Sequence, residues 1–157
     1  MNERETEYLA LRDTYKHLVG KRWTGSRLFG CYEIIRDYYK EYLDRDLIDF
    51  NARKVYQFTD DAINESDGKW IYRKDWGCDD GGIDLSILEK GDILLFKLYE
   101  NPLGGGYSTP KNRAPNHGGV YLGNGFMLHH PYNGLSDIED LLDTGVQAYQ
   151  ISCVGAI

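Results

Sequence analysis

Three of the four histidines in the chain fall in one stretch, Asn116 to His130, NHGGVYLGNGFMLHH. Imidazoles change charge near neutral pH, so such a cluster can move protons, bind a metal or simply pack. Two short apolar runs flank Gly123-Asn124-Gly125, the pattern of a β-hairpin. Register decides which histidines share a face. If those three residues form the loop, Leu122 pairs with Phe126 and Val120 with Leu128, and all four point one way. His117, Tyr121, Met127 and His129 then point the other way, with His117 diagonal to His129 at roughly 7–8 Å between Cα atoms. Gly125 would take the left-handed position that such a loop needs. If Asn124-Gly125 is a two-residue turn instead, Val120 faces His129 and His130 joins the face of His117. That register pushes His129 into an apolar face, which is costly when the face is buried. The pair His117 and His129 is therefore the expected one.

A pair of histidines on a sheet can be no more than half-exposed packing. A two-histidine metal site would need a distant third ligand, and there is no His-x-x-x-His helical motif and no Cys-x-x-Cys pair to supply it. A third reading adds Cys31, which opens an amphipathic segment. A thiol in the first turn of a helix sits at the positive end of the helix dipole, which stabilises the thiolate. A nearby imidazole can take its proton, and a second polar group can orient that imidazole. Cys31, His117 and His129 can fill those roles in chain order. Cys78, in WGCDDGG, has two acidic neighbours, a poor setting for a thiolate, and Cys153 reads as a core strand residue. No cofactor motif is present: the glycines at 104–106 lack the Lys-Ser or Lys-Thr of a phosphate loop.

These groups must be held by a framework of 157 residues, enough for one domain with one core, expected over 1–157. With 41% hydrophobic and 27% charged residues, disorder is not expected. A formal charge of −7 offers no basic excess for phosphates, which argues against nucleic acid and against an anionic membrane surface. The N-terminus has no apolar stretch of the secretory type, and no run is long enough to span a bilayer. Three cysteines without Cys-x-x-Cys spacing suit a reducing compartment.

Residues 5–18 read as a helix with Tyr8, Leu11, Tyr15 and Leu18 on one face and Gly20 as its stop. CYEIIRDYYKEYL reads as a second helix beginning at Gly30 or Cys31, its apolar face formed by Ile34, Ile35, Tyr38, Tyr42 and Leu43. A short helix after Thr59, a strand in KWIYRKDW and a turn-rich WGCDDGG follow. GDILLFKLY reads as a strand buried on both faces. Residues 101–116 form a long glycine-rich loop, expected to be a mobile wall beside His117. After the hairpin, SDIEDLL reads as a short helix with Ser136 and Glu139 as a capping box, and VQAYQISCVGAI as a terminal strand. Helices followed by antiparallel strands predict an α+β domain with helices on one side of a small antiparallel sheet.

Taken in order, LFGCYEIIRDYYKEYL, LEKGDILLF and NHGGVYLGNGFMLHH resemble the NlpC family of papain-like cell-wall cysteine endopeptidases, above all its branch in bacteriophage tail-assembly and tail-tip proteins. The likeness covers about residues 18–135. The chain departs from the family pattern at Gly30, Glu33 and Gly118, where the family usually has aspartate, glycine, and valine or alanine. The resemblance implies a papain-like fold with Cys31 as nucleophile at a helix N-terminus, His117 as base and His129 as the residue that orients it. It also implies that Trp23, in the loop before the nucleophile, lines the substrate site. The substrate would be a peptidoglycan stem peptide, cut between D-γ-glutamate and diaminopimelate or lysine, with no metal or cofactor. Partners would be tail-tip or tail-hub proteins, and the location a virion tail assembled in the host cytoplasm. Two other readings stay open: a structural tail subunit that keeps the fold with little or no hydrolase activity, and an acyltransferase or amidase using the same dyad.

Overall fold

The computed structural model describes residues 1–22, 30–47, 71–73, 85–96, 117–131, 134–142 and 151–156. Helix α1 spans Glu3–Thr14 and starts two residues before the expected helix, because Asn2 and Glu5 form a reciprocal capping box. The chain then turns through Tyr15 and Leu18, both buried, to Gly20, whose φ of +82° suits glycine. Helix α2 spans Gly30–Leu43. It buries Ile34, Ile35 and Tyr38 as its periodicity predicts, and Tyr39 as well, while Leu43 is exposed. Tyr15 meets Tyr42 edge-on, with ring centroids 4.8 Å apart, which ties the end of α1 to α2.

The strands are β1 (Ile71–Arg73), β2 (Ile93–Phe96), β3 (His117–Gly123), β4 (Phe126–His129), β5 (Asp137–Asp140) and β6 (Ile151–Ala156), with a 3₁₀ turn at Leu85–Ile87. They form one sheet in the order β1-β6-β2-β3-β4-β5, every neighbouring pair antiparallel. β2 to β5 form a meander, and β6 returns to lie between β1 and β2. The α+β class therefore holds. Ile93, Leu95, Val120, Leu122, Phe126, Leu128 and Ile138 pack with α2 and with Tyr15 and Leu18 in one cluster. The opposite face carries a smaller cluster of Leu94, Phe96, Tyr121 and Met127, flanked by Leu85, Leu88 and Leu141. All four residues of β2 are buried, as a strand covered on both faces requires.

The Gly-Asp pair before β2 forms a turn that locks three elements. The Asp92 carboxylate accepts the Glu89 N–H at 2.9 Å, and the Asp92 carbonyl accepts the Tyr121 N–H at 2.8 Å. Gly91 has φ +97°, and its carbonyl accepts the Tyr39 hydroxyl of α2. Burial of Tyr39 pushes its phenol up to about 12.

SDIEDLL is a correction: β5, not a helix, covers Asp137–Asp140. Ser136 does not cap a helix. Its hydroxyl donates to the Leu18 carbonyl at 2.6 Å and accepts the Lys21 N–H at 2.8 Å, so it fastens the segment that leads towards α2. Asp137 and Asp140 bind Arg12 and Arg4 of α1, which pins that helix to the sheet edge. β1 and β6 fall within the strands expected at 69–76 and 146–157. The helix expected after Thr59, the WGCDDGG turn and the 101–116 loop lie outside the described residues. Among the described residues, no helix is long and apolar enough to cross a membrane.

Candidate active site

The hairpin combines the two registers considered from sequence. Asn124 and Gly125 have φ of +52° and +83°, a two-residue turn with both central residues left-handed. A bulge follows at once: Gly123 pairs with Phe126, but Tyr121 pairs with Met127 and Val120 with Leu128. The extra residue restores the apolar register beyond the turn. His129 consequently faces Gly119 and shares the face of His117, as the three-residue loop predicts, although Leu122 does not pair with Phe126.

His117 opens β3 and His129 closes β4. Both are buried, at 3% and 1% exposure. His117 Nε2 and His129 Nδ1 are 2.9 Å apart, with the rings nearly perpendicular at 79°. Phe96, the partner of His117 on β2, lies 5.8 Å away between ring centroids and closes the other side. On the far side of His129, Nε2 lies 3.3 Å from Glu139 Oε2 on β5. The three residues thus form a line across β3, β4 and β5. Glu139 was missed from sequence because its capping-box spacing from Ser136 absorbed it. The alternation around Ile138 was the available signal, and it spans too few residues to outweigh the helix pattern.

His130 takes the opposite side. Its Nε2–H donates to the Gly134 carbonyl at 2.9 Å. Burial holds its pKa below the ordinary imidazole value, while that carbonyl and the charge of Glu33 on α2 act the other way. His117 is held well below its ordinary value of 6.5, first by burial and then by His129 and His130. The folded protein therefore keeps His117 neutral where an unfolded chain would begin to protonate it. Because the folded pKa is depressed, the associated stability is present above about pH 6.5 and is lost as pH falls from there towards the folded value. The expected slope is at most about 1.4 kcal/mol per pH unit. Denaturant midpoints between about pH 7.5 and about pH 5 should show it, and His117→Gln should remove that share. An equal slope in the variant would contradict a neutral, buried His117.

Cys31 lies in the first turn of α2, with its side chain outside the described part. The placement of that turn follows from its neighbours. A Cβ on Gly118 would lie 3.2 Å from Ile35 Cδ1. One turn later Tyr39 reaches Gly91, whose N–H donates to the Tyr121 carbonyl. α2 thus runs along β3 in the same sense. One turn back from Ile35, about 6 Å, puts the backbone of Cys31 level with the start of β3, on the sheet face opposite the His117 ring. Trp23 and Cys78 lie outside the described residues, and Cys153 is in β6, opposite Leu95 of β2. His17 is exposed, in the turn after α1. Among the described residues no group of three or more histidine, cysteine or acidic side chains is arranged to hold a metal.

Comparison with protein-family models and with curated proteins returns no match. The likeness to papain-like endopeptidases therefore rests on the quoted motifs, and the chemistry on the residues just described. The described residues show a buried His117 joined through His129 to Glu139, on the sheet face away from α2.

Proposed function

We propose that the protein is a cysteine endopeptidase that hydrolyses peptidoglycan stem peptides at the bond from D-γ-glutamate to diaminopimelate or lysine, as part of a bacteriophage tail. The observation that carries the reading is the 2.9 Å bond between His117 Nε2 and His129 Nδ1, which commits Nε2 to the orienting residue; in the proposed mechanism Nδ1 acts on the thiol. His117 takes the proton of Cys31, and the thiolate attacks the scissile carbonyl carbon. The oxyanion that forms is met by the backbone N–H of Cys31, one of the donors at a helix start that has no partner within the helix. His117 returns the proton to the leaving amine as the C–N bond breaks. It then takes a proton from water, which hydrolyses the thioester and releases the Cys31 thiol. His129 is a positioning residue. The His117 ring lies on the sheet face away from Gly118 and Ile35, so this reading requires the Cys31 thiol to reach it around the start of β3. The choice of substrate and of a tail location rests on the motif resemblance, and tail-tip or tail-hub proteins are the partners it suggests.

Iodoacetamide labelling tests the dyad. At about pH 6, below the ordinary thiol pKa of about 8.5, Cys31 should be alkylated well before Cys78 and Cys153. His117→Ala should slow that labelling while the other thiols keep their rates. Equal reactivity of all three cysteines in the folded protein would contradict the proposal.

A further inference from the structure

When each ring carries a single hydrogen, two imidazoles that share one hydrogen bond have two arrangements. In one, His117 Nε2–H donates to His129 Nδ1, and His117 Nδ1 keeps a lone pair. In the other, His129 Nδ1–H donates to His117 Nε2, and His117 Nδ1 carries a hydrogen and cannot act as a base. Nothing within the pair selects between them.

We infer that Glu139 makes the selection: it is a positioning residue that sets the tautomer of both histidines. Its Oε2 stands 3.3 Å from His129 Nε2. A carboxylate accepts and cannot donate, so His129 Nε2 must carry the hydrogen. With one hydrogen per ring, His129 then keeps its lone pair on Nδ1, and His117 donates from Nε2. The one arrangement left has the basic nitrogen of His117 at Nδ1. An outer carboxylate that fixes a ring in this way acts through the ring and need not touch substrate.

The neighbouring acids explain why this role falls to Glu139. Asp137 is the direct cross-strand partner of His129, closer in register than Glu139. Its carboxylate is engaged elsewhere: it accepts the Tyr8 hydroxyl at 3.1 Å and its neighbour's N–H at 2.7 Å, and it lies 3.3 Å from Arg12 Nε. Asp140 is held by a two-pronged contact from Arg4, at 2.8 and 2.6 Å. α1 thus takes the flanking acids and leaves Glu139 to His129. Glu139 is one-third exposed and also borders a groove of about 480 Å³ between α1 and β5, so it meets solvent on its outer side.

The catalytic consequence rests on the proposed Cys31–His117 dyad, whereas the tautomer does not, and the test separates them. Imidazole ¹⁵N correlation spectra of histidine-labelled protein distinguish protonated from lone-pair ring nitrogens. In the unaltered protein both His117 and His129 should carry hydrogen on Nε2. In Glu139→Leu the preference should be lost, with a second tautomer in comparable amount. Glu139→Gln, whose amide can donate or accept, should also give a mixture. Cys31 alkylation should slow by about tenfold or more in both, short of the roughly 10⁴-fold seen when a triad tautomer is fully inverted. Asp140→Asn, which weakens the bond to Arg4, should keep the original tautomer. Unchanged tautomers in Glu139→Leu and Glu139→Gln would overturn the inference. So would His129 Nδ1–H in the unaltered protein, or an equal disturbance in Asp140→Asn. If the tautomers respond as stated but Cys31 shows no enhanced reactivity in any form, Glu139 keeps its role and the dyad fails.

Discussion

Replacing His129 by alanine is expected to lower turnover by about 10²–10⁴-fold, the range for loss of an acid–base element. The side chain removed is the one bonded to His117 Nε2, and its loss leaves a buried imidazole nitrogen without that partner and without a fixed tautomer. His130→Ala removes a ring of the same kind one residue later, with a different result. His130 bonds the Gly134 carbonyl and stabilises the turn after β4, so its loss should act on stability and leave turnover within a few-fold. Steady-state rates for the two variants, corrected for folded fraction, decide the matter. Comparable losses of turnover would remove the distinction between the two histidines.

Gly119→Ala should destabilise the fold by about 1–3 kcal/mol, the range for forcing extra atoms into a packed core. A Cβ there would stand 2.5 Å from Met127 Sδ and 2.8 Å from the Leu128 carbonyl oxygen. The methionine can swing aside, but the carbonyl belongs to the backbone of β4. Gly119 is also the cross-strand partner of His129, so strain at this pair moves the histidine. Gly118→Ala is the internal control. Its new methyl would meet Ile35 Cδ1 at 3.2 Å, the far end of a side chain, with the nearest backbone oxygen at 3.4 Å. Denaturant unfolding should give it the smaller cost. A larger cost at position 118 would mean that the close approach of β3 and β4 is wrong.

The histidine pairing was legible because burial gives the hairpin one tolerable register. Val120 and Leu128 had to face each other, and that alone carries His129 to the side of His117. The bulge was not legible. Asn124-Gly125 signals a two-residue turn while the apolar alternation signals a three-residue loop, and the chain satisfies both by inserting a residue. β5 misled for a related reason. Ser136 and Glu139 have capping-box spacing, and a four-residue edge strand buries only Ile138, so the alternation that marks a strand is almost absent. Pairing with β4 overrides the local preference. Once SDIEDLL is assigned to a helix, Glu139 is spent on its N-terminus and cannot be seen beside His129. The insertion of β6 between β1 and β2 is long-range pairing, on which local periodicity is silent. α2 was read well because its inward positions recur over fourteen residues, with differences at Tyr39 and Leu43, where the buried stripe drifts round the helix.

The central claim is that Cys31 cuts peptidoglycan stem peptides, and mass spectrometry of purified peptidoglycan after incubation with the protein tests it most directly. The account predicts fragments ending at D-γ-glutamate with a complementary new amine on diaminopimelate or lysine, absent when Cys31→Ala is used at equal folded concentration. An unchanged fragment pattern with both proteins would contradict it and favour a structural tail subunit, and equal cleavage by Cys31→Ala would place the chemistry elsewhere in the molecule.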